Sequence, residues 1–118
     1  MRRVLVTGSR DLTDRTPVWE ALMAQAKIAG GLTKITVIHG DACGADAHAK
    51  NFCKVYEVLE EKYPADWKSF GKAAGPIRNS VMIAAGVDVV LAFPRGKARG
   101  TMDCATKARH AEIPVIFG

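Results

Sequence analysis

Short runs of apolar residues alternate with longer amphipathic stretches along this chain. Three of these runs, rich in β-branched residues, predict buried strands at Val4–Val6, Lys34–His39 and Val87–Phe93. A fourth run predicts a last strand at Ile113–Phe117. The run that ends at Phe93 is apolar almost throughout, which is typical of a strand covered by helices on both faces.

Four stretches have the apolar spacing of amphipathic helices. Their predicted limits are Thr16 to Gly30, Ala45 to about Cys53, Gly75-Pro76 to Gly86, and Thr101 to about Ala111. Thr16 and Thr101 are the residue type that caps a helix at its start. The positions predicted to face the core are Val18, Ala21, Leu22, Ala26 and Ala29 in the first helix, Ala45, Ala49, Phe52 and Cys53 in the second, and Ile77, Val81, Ala84 and Ala85 in the third.

The segment from Val55 to Tyr63 fits two structures. A strand around Val58 and Leu59 suits the overall alternation, whereas Glu60–Lys62 would also suit a helix. Pro64 ends the segment in either case.

Strands that alternate with helices predict βαβ units and a parallel sheet. We therefore predict one domain over residues 1–118, with a Rossmann-like three-layer α/β/α fold and a mainly parallel sheet of about five strands. Such sheets bind ligands beyond the carboxyl ends of their strands, where the strand order reverses. The loops after Val6, His39 and Phe93 are consequently the ones expected to carry function.

Composition excludes several classes of protein. With 48% hydrophobic and 25% charged residues, the chain of 118 residues is neither disordered nor fibrous. No apolar run approaches the roughly 20 residues that span a bilayer, so no membrane partner is expected. The N-terminal apolar run is too short for a secretory signal, which predicts a cytoplasmic protein.

Charge is distributed unevenly in a chain with a net charge of +5. Nine basic and eight acidic residues precede Pro64, whereas eight basic and four acidic residues lie from Pro64 onward. A basic second half favours an anionic ligand, either a nucleotide or nucleic acid. The three cysteines, Cys43, Cys53 and Cys104, fit neither a disulfide framework nor a zinc pattern, so we expect reduced thiols and neither a metal nor a cofactor.

The loop after the first strand offers four candidate ligand-binding residues, Thr7, Gly8, Ser9 and Arg10. Gly8 allows a tight turn or the close approach of a ligand. Thr7 and Ser9 supply hydroxyl groups, and Arg10 supplies a planar fork of donors suited to phosphate. An ordinary strand-to-helix turn is the alternative interpretation.

The loop after the second strand offers Gly40, Gly44, Ala45 and Asp46. Gly44 to Asp46 lies where a helix is predicted to begin, and free backbone N–H groups there favour an anion. Asp46 could itself serve as the capping carboxylate, or it could accept hydrogen bonds from ribose hydroxyls.

The loop after Phe93 combines Pro94 with three cations within five residues, followed by Gly100 and Thr101 at a predicted helix start. Flexible backbone, positive charge and oriented amides together suit phosphate, although the loop does not match a Walker A motif. A solvated basic turn is the alternative.

A fourth segment places Arg78 and Asn79 in the first turn of the third helix. Arg78 could clamp a phosphate, and Asn79 could hydrogen-bond a base or a sugar. Trp67, a short distance upstream, could stack on a base, but packing is the commoner role of such a side chain.

Taken in order, these motifs resemble the YspA-type branch of the SLOG superfamily, which is named for the SMF/DprA and LOG proteins. The resemblance covers nearly the whole chain. It rests on Val6–Asp11, His39-Gly40, Gly44–Asp46, Pro64–Trp67, Ala74–Asn79, and Ala92–Pro94 followed by Arg99–Thr101. It implies a Rossmann-like nucleotide-binding domain of the kind found in bacteria and their phages.

The same resemblance implies two kinds of activity. LOG-like members are phosphoribohydrolases that cut the N-glycosidic bond of nucleoside monophosphates, whereas others bind nucleotide-derived signals or single-stranded DNA. LOG-like enzymes carry the motif Pro-Gly-Gly-x-Gly-Thr-x-x-Glu and an upstream catalytic arginine. Here Gly100-Thr101 keeps the core of that motif, Cys104 holds the place of the glutamate, and Asp103 lies one residue before it. Arg78 corresponds to the arginine.

We therefore expect the chain to bind a nucleotide or a nucleotide-derived phosphorylated ligand at the carboxyl edge of the sheet, as a sensor or processing module. The alternative is a phosphoribohydrolase in which Arg78 and Asp103 are catalytic, with the carboxylate stabilising an oxocarbenium-like state. Binding of single-stranded nucleic acid is less favoured because only 7% of the residues are aromatic. The resemblance also allows a homo-oligomer.

Overall fold

A computed structural model describes all 118 residues and confirms the Rossmann-like α/β prediction. The strands are β1 (Arg2–Gly8), β2 (Ile35–His39), β3 (Leu59–Lys62), β4 (Val89–Phe93) and β5 (Val115–Phe117). The helices are α1 (Thr16–Ala29), α2 (Ala45–Tyr56), α3 (Trp67–Phe70), α4 (Ala74–Ala84) and α5 (Arg99–His110). Short 3₁₀ turns at Leu32–Lys34 and Gly71–Ala73 precede β2 and α4.

The five strands form one parallel sheet in the order β3-β2-β1-β4-β5. The first strand is central, so that Leu5 lies between Ile38 of β2 and Val90 of β4. The chain builds outward from β1 through β2 to β3, and then returns to the other side of β1 with β4. The strand order therefore reverses between β1 and β4, and this is where a ligand is expected.

Helices cover both faces of the sheet. Helices α1 and α2 pack on one face, where Val18, Leu22 and Phe52 join the larger core cluster. Helices α4 and α5 pack on the other, where Met82 and Cys104 contribute to a smaller cluster. The side chains of β1 alternate between the two clusters, as a strand covered on both sides requires. None of the helices combines the length and the apolar character that crossing a membrane would need.

The inward face predicted for α4 is wrong. The four positions expected in the core are all exposed, namely Ile77, Val81, Ala84 and Ala85. The buried positions are instead Ala74, Gly75, Asn79 and Met82. The reason is that a polar residue, Asn79, faces α5 and is held there by hydrogen bonds, which a pattern of apolar positions cannot indicate. The outward face of α4 is uncharged, and self-association through it or any other surface stays a prediction.

Both predicted threonine caps are also wrong. Helix α1 begins at Thr16 itself, and the carboxylate of Asp14 accepts the Thr16 N–H at 2.9 Å. Helix α5 begins at Arg99, so Thr101 lies inside its first turn and is buried. Because α4 begins before Gly75, Arg78 lies in the second turn of that helix rather than in its first.

Of the two structures that fit residues 55–63, the strand forms over Leu59–Lys62, whereas Val55 and Tyr56 belong to the end of α2. Strand β3 is an edge of the sheet, where charged side chains are common because one side of the strand faces water. Glu61 accepts a 2.8 Å hydrogen bond from the guanidinium of Arg3 in β1, and Glu60 lies 2.6 Å from His39 of β2. Its acidic residues thus fasten the edge strand to the inner strands.

Candidate functional site

A cavity of about 830 Å³ opens at the carboxyl ends of β1 and β4, where the strand order reverses. Ten of the residues singled out in the sequence line it, namely Thr7, Gly8, Ser9, Arg10, Asp46, Arg78, Asn79, Gly100, Thr101 and Asp103. Gly40 lines an adjoining cavity of about 470 Å³, whereas Gly44, Ala45 and Pro94 line neither. The parallel sheet therefore brings most of the predicted residues to one place.

Ser9 joins the loop after β1 to the loop after β4. Its hydroxyl donates to the carbonyl of Arg95 at 2.9 Å and accepts the Arg95 N–H at 2.7 Å. Its own N–H donates to the carbonyl of Phe93 at 3.1 Å. The hydroxyl proton is already used within the protein, so Ser9 fixes the shape of the two loops that frame the cavity.

Gly44 supports this loop from below. Its φ of 71° is a conformation that side chains rarely adopt, and a Cβ atom there would collide with the carbonyl oxygen of Ser9. The next residue, Ala45, donates its N–H to the same oxygen at 3.3 Å. Gly44 and Ala45 therefore pack against the backbone of the β1 loop and hold it in position, which explains why neither lines the cavity.

Asp46 closes the turn that follows β2. Its Oδ2 accepts the N–H groups of Gly40 at 3.0 Å and Ala42 at 3.3 Å. Burial raises the pKa of this carboxyl group, while the charge of Arg78 and the two N–H groups oppose the shift. Oδ1 of Asp46 has no hydrogen-bond partner in the protein. Because every fully buried side-chain oxygen does have a partner, Oδ1 is not fully buried, and it is the oxygen left to face the cavity.

Arg78 ties three segments together beneath the cavity. Its Nη1 donates to the carbonyl of Gly40 at 2.7 Å and reaches that of Tyr63 at 3.4 Å. Its Nε donates to Oδ1 of Asn79 at 3.0 Å. Nη1 is consequently committed to the loops after β2 and β3, whereas Nη2 makes no hydrogen bond within the protein.

Asn79 continues this network into α5. Its Nδ2 donates to the carbonyl of Gly100 and to Oδ2 of Asp103, both at 3.1 Å. Lys107 also donates to Asp103, at 2.9 Å. Because both amide hydrogens of Asn79 are used and its side chain is buried, the residue positions the start of α5 and has no donor left for a base or sugar.

The N-terminus of α5 faces the cavity without a cap. Ala98 offers no side-chain cap, and the first backbone bond of the helix runs from the Met102 N–H to the carbonyl of Ala98. The N–H groups of Arg99, Gly100 and Thr101 therefore have no acceptor within the helix. Such a group of oriented amides attracts an anion.

Basic side chains outnumber acidic ones around the cavity. Six cations line it, Arg10, Lys72, Arg78, Arg95, Lys97 and Arg99, against the three carboxylates of Asp11, Asp46 and Asp103. Among the cations, Arg10, Lys72, Lys97 and Arg99 make no hydrogen bond or ion pair within the protein, and Arg10 contacts only the ring of Trp67. The sequence did not single out Lys72, because it lies in a 3₁₀ turn without periodicity; its place just before Ala74–Asn79 was the available signal.

The thiol at the place of the LOG glutamate is not accessible. Cys104 is fully buried, and burial raises its pKa to about 11. Burial likewise raises the pKa of Cys53 to about 12, whereas Cys43 is exposed in the turn after β2. No group of three His, Cys, Asp or Glu side chains could hold a metal ion.

These environments predict how the thiols react. At pH 8 we expect only one thiol of the native protein, that of Cys43, to react rapidly with a disulfide reagent. The raised pKa values of Cys53 and Cys104 leave these two thiols almost entirely protonated at that pH. Denaturation should make the thiols of Cys53 and Cys104 reactive as well. Cys43→Ser is the control and should remove the fast phase; two fast thiols in the native protein would contradict the burial described above.

Comparisons with known proteins identify a family and a relative of this chain. The family model described as "YspA, cpYpsA-related SLOG family" matches residues 2–70, more than half of the chain. The chain belongs to this family. It is also 45% identical over 124 residues to the Gene 61 protein of Mycobacterium phage D29, a match that covers 100% of this chain and 98% of the relative. No solved structure matches. Membership of this SLOG family fits the binding or processing of a nucleotide-related ligand.

Proposed function

We propose that the protein binds a nucleotide or a nucleotide-derived phosphorylated ligand in the cavity at the carboxyl ends of β1 and β4. The observation that carries this proposal is the uncapped N-terminus of α5, which opens into the cavity beside cations that have no partner in the protein. Oriented amides and free cations together form a site for phosphate. A SLOG-family chain with such a site at the reversal of its strand order is best explained as a nucleotide binder.

The phosphate end of the ligand lies against α5. The N–H groups of Gly100 and Thr101 donate to phosphate oxygens, and the side chains of Lys97 and Arg99 neutralise their charge. Gly100 leaves the approach open, since a Cβ atom at that position would contact nothing within 4 Å. The loop that carries these cations is held in place by Ser9.

The sugar end of the ligand lies toward the loop after β2. The free Oδ1 of Asp46 accepts a hydrogen bond from a ribose hydroxyl, while Oδ2 keeps its two backbone donors. Asp46 is thus held in one orientation before the ligand arrives, which lowers the entropy lost on binding.

A second candidate is cleavage of the N-glycosidic bond, favoured by one observation. Asp103 lines the same cavity as Asp46, and its Oδ2 is held by Asn79 and Lys107, which leaves Oδ1 to face a ligand. A carboxylate there could stabilise positive charge on the ribose and activate water. Binding is the better-supported function, because Arg78 is engaged with Gly40 and the position of the LOG glutamate is the buried Cys104.

The test combines calorimetry with product analysis. Nucleoside mono- and diphosphates are titrated into the protein, and the same mixtures are analysed by mass spectrometry for free base and ribose 5-phosphate. Binding without release of base is the expected result. Release of base that persists in Asp88→Asn, at the opposite end of the sheet, but is lost in Asp103→Asn would establish the hydrolase instead.

The proposal fails if no nucleotide binds. In that event an affinity for single-stranded oligonucleotides that falls steeply with salt would identify nucleic acid as the partner.

A further inference from the structure

Trp67 is placed where a structural tryptophan would not be expected. It begins the four-residue helix α3, whose start is fixed by a hydrogen bond from the Ser69 N–H to the Asp66 carboxylate at 3.1 Å. Its side chain is 47% exposed and joins neither core cluster. The other tryptophan, Trp19, packs against the core and donates its indole N–H to the carbonyl of His48 at 3.0 Å.

The exposed indole forms part of the wall between two cavities. Trp67 lines both the cavity of about 830 Å³ at α5 and the adjoining one of about 470 Å³ beside the turn after β2. The start of α4 supports the ring from below: a Cβ atom at Gly75 would lie 3.3 Å from its Cη2 atom. The ring is therefore held at the point where a ligand in the larger cavity would enter the smaller one.

One face of the ring already carries a planar cation. The guanidinium carbon of Arg10 lies 5.0 Å from the ring centroid. Arg10 is exposed and makes no hydrogen bond or ion pair, so only this contact holds it in place. A surface that accommodates a planar guanidinium also accommodates a planar nucleobase, and every base has a face that stacks on an aromatic ring.

We propose that Trp67 is the stacking platform for the nucleobase of the ligand. This inference rests on the proposed function and deepens it. The base takes the place of Arg10 on the indole, and the displaced guanidinium turns to the phosphate in the larger cavity. The ligand class is therefore a nucleotide that keeps its aromatic base, as opposed to a sugar phosphate without one.

The experiment compares ligands with and without a base. AMP, GMP, CMP and UMP are titrated into the full chain alongside ribose 5-phosphate, by calorimetry and by tryptophan fluorescence. The tightest-binding nucleotide should quench the fluorescence of the wild type and of Trp19→Phe, but not that of Trp67→Phe. Trp67→Ala should weaken its binding about tenfold or more, Trp67→Phe should weaken it less, and ribose 5-phosphate should bind equally to all variants.

Two results would overturn the proposal while leaving the proposed function intact. One is nucleotide binding without a change in Trp67 fluorescence. The other is an equal loss of affinity for the nucleotide and for ribose 5-phosphate in Trp67→Ala, which would show a general effect on the cavity. If neither the nucleotides nor ribose 5-phosphate bind to the wild type, the proposed function fails and this inference fails with it.

Discussion

Replacing Gly44 with alanine is expected to lower the free energy of unfolding by about 2–6 kcal/mol and to abolish nucleotide binding. Two effects add at this position. The backbone has φ 71° and ψ −124°, and a side chain held in such a region costs about 1–3 kcal/mol. The added Cβ would also collide with the backbone of Ser9 and Arg10, and forcing such atoms apart costs about 1–3 kcal/mol more. Movement of the β1 loop would then deform the cavity.

A second glycine separates these effects. Gly30, after α1, also has a positive φ, 100°, but a Cβ atom there would contact nothing within 4 Å. Gly30→Ala should therefore lower the free energy of unfolding by only about 1 kcal/mol, from backbone strain alone, and should leave nucleotide affinity unchanged. Urea denaturation and calorimetry on both variants give the comparison. Equal destabilisation by the two changes would show that the close packing of Gly44 under Ser9 does not contribute to the cost of adding a side chain at that position.

Replacing Arg78 with alanine is expected to lower the free energy of unfolding by about 2–3 kcal/mol. The change removes the charge-assisted hydrogen bond to the carbonyl of Gly40 and the support of Asn79. Arg99, in the same cavity, makes no such bond, so Arg99→Ala should change stability by less than about 0.5 kcal/mol. We expect Arg99→Ala instead to weaken nucleotide binding roughly tenfold through the loss of a phosphate contact.

The conservative variant Arg78→Lys sharpens this comparison. A lysine keeps the charge, but a single ammonium cannot reproduce the fork that joins Gly40 and Asn79. It should therefore recover only part of the stability. If Arg78→Ala were as stable as the wild type yet bound nucleotide poorly, Arg78 would be a direct ligand contact, and the role of tying the loops together would be wrong.

The layout of the fold could be predicted from the sequence because apolar runs and helical spacing depend on neighbouring residues. The meeting of the loops after β1 and β4 follows from the same pattern, since the carboxyl ends of parallel strands share one edge. The third strand could not be predicted with the same certainty. Its charged residues also suit a helix, and the contact that explains them in a strand, between Glu61 and Arg3, joins residues far apart in the chain.

The contacts inside the site could not be predicted, because they join residues far apart in the chain. Asn79 was expected to hydrogen-bond a ligand, but both hydrogens of its amide bind Gly100 and Asp103. The hydroxyl of Ser9 is similarly engaged with Arg95. The orientation of α4 could not be predicted for the same reason, since a buried asparagine and not the apolar stripe decides which face turns inward.

Because β1 is the central strand, its two edges gain their partner strands at different times during synthesis of the chain. Strand β1 can pair with β2 once that strand has been made, but its other edge pairs with β4, which follows more than eighty residues later. Until then, one row of backbone donors and acceptors on β1 has no partner, and the apolar side chains awaiting α4 and α5 stay in contact with water. A nascent chain that stops after β3 therefore exposes the edge of β1 that later pairs with β4. The second half of the sequence is needed to cover that edge and the apolar side chains beside it.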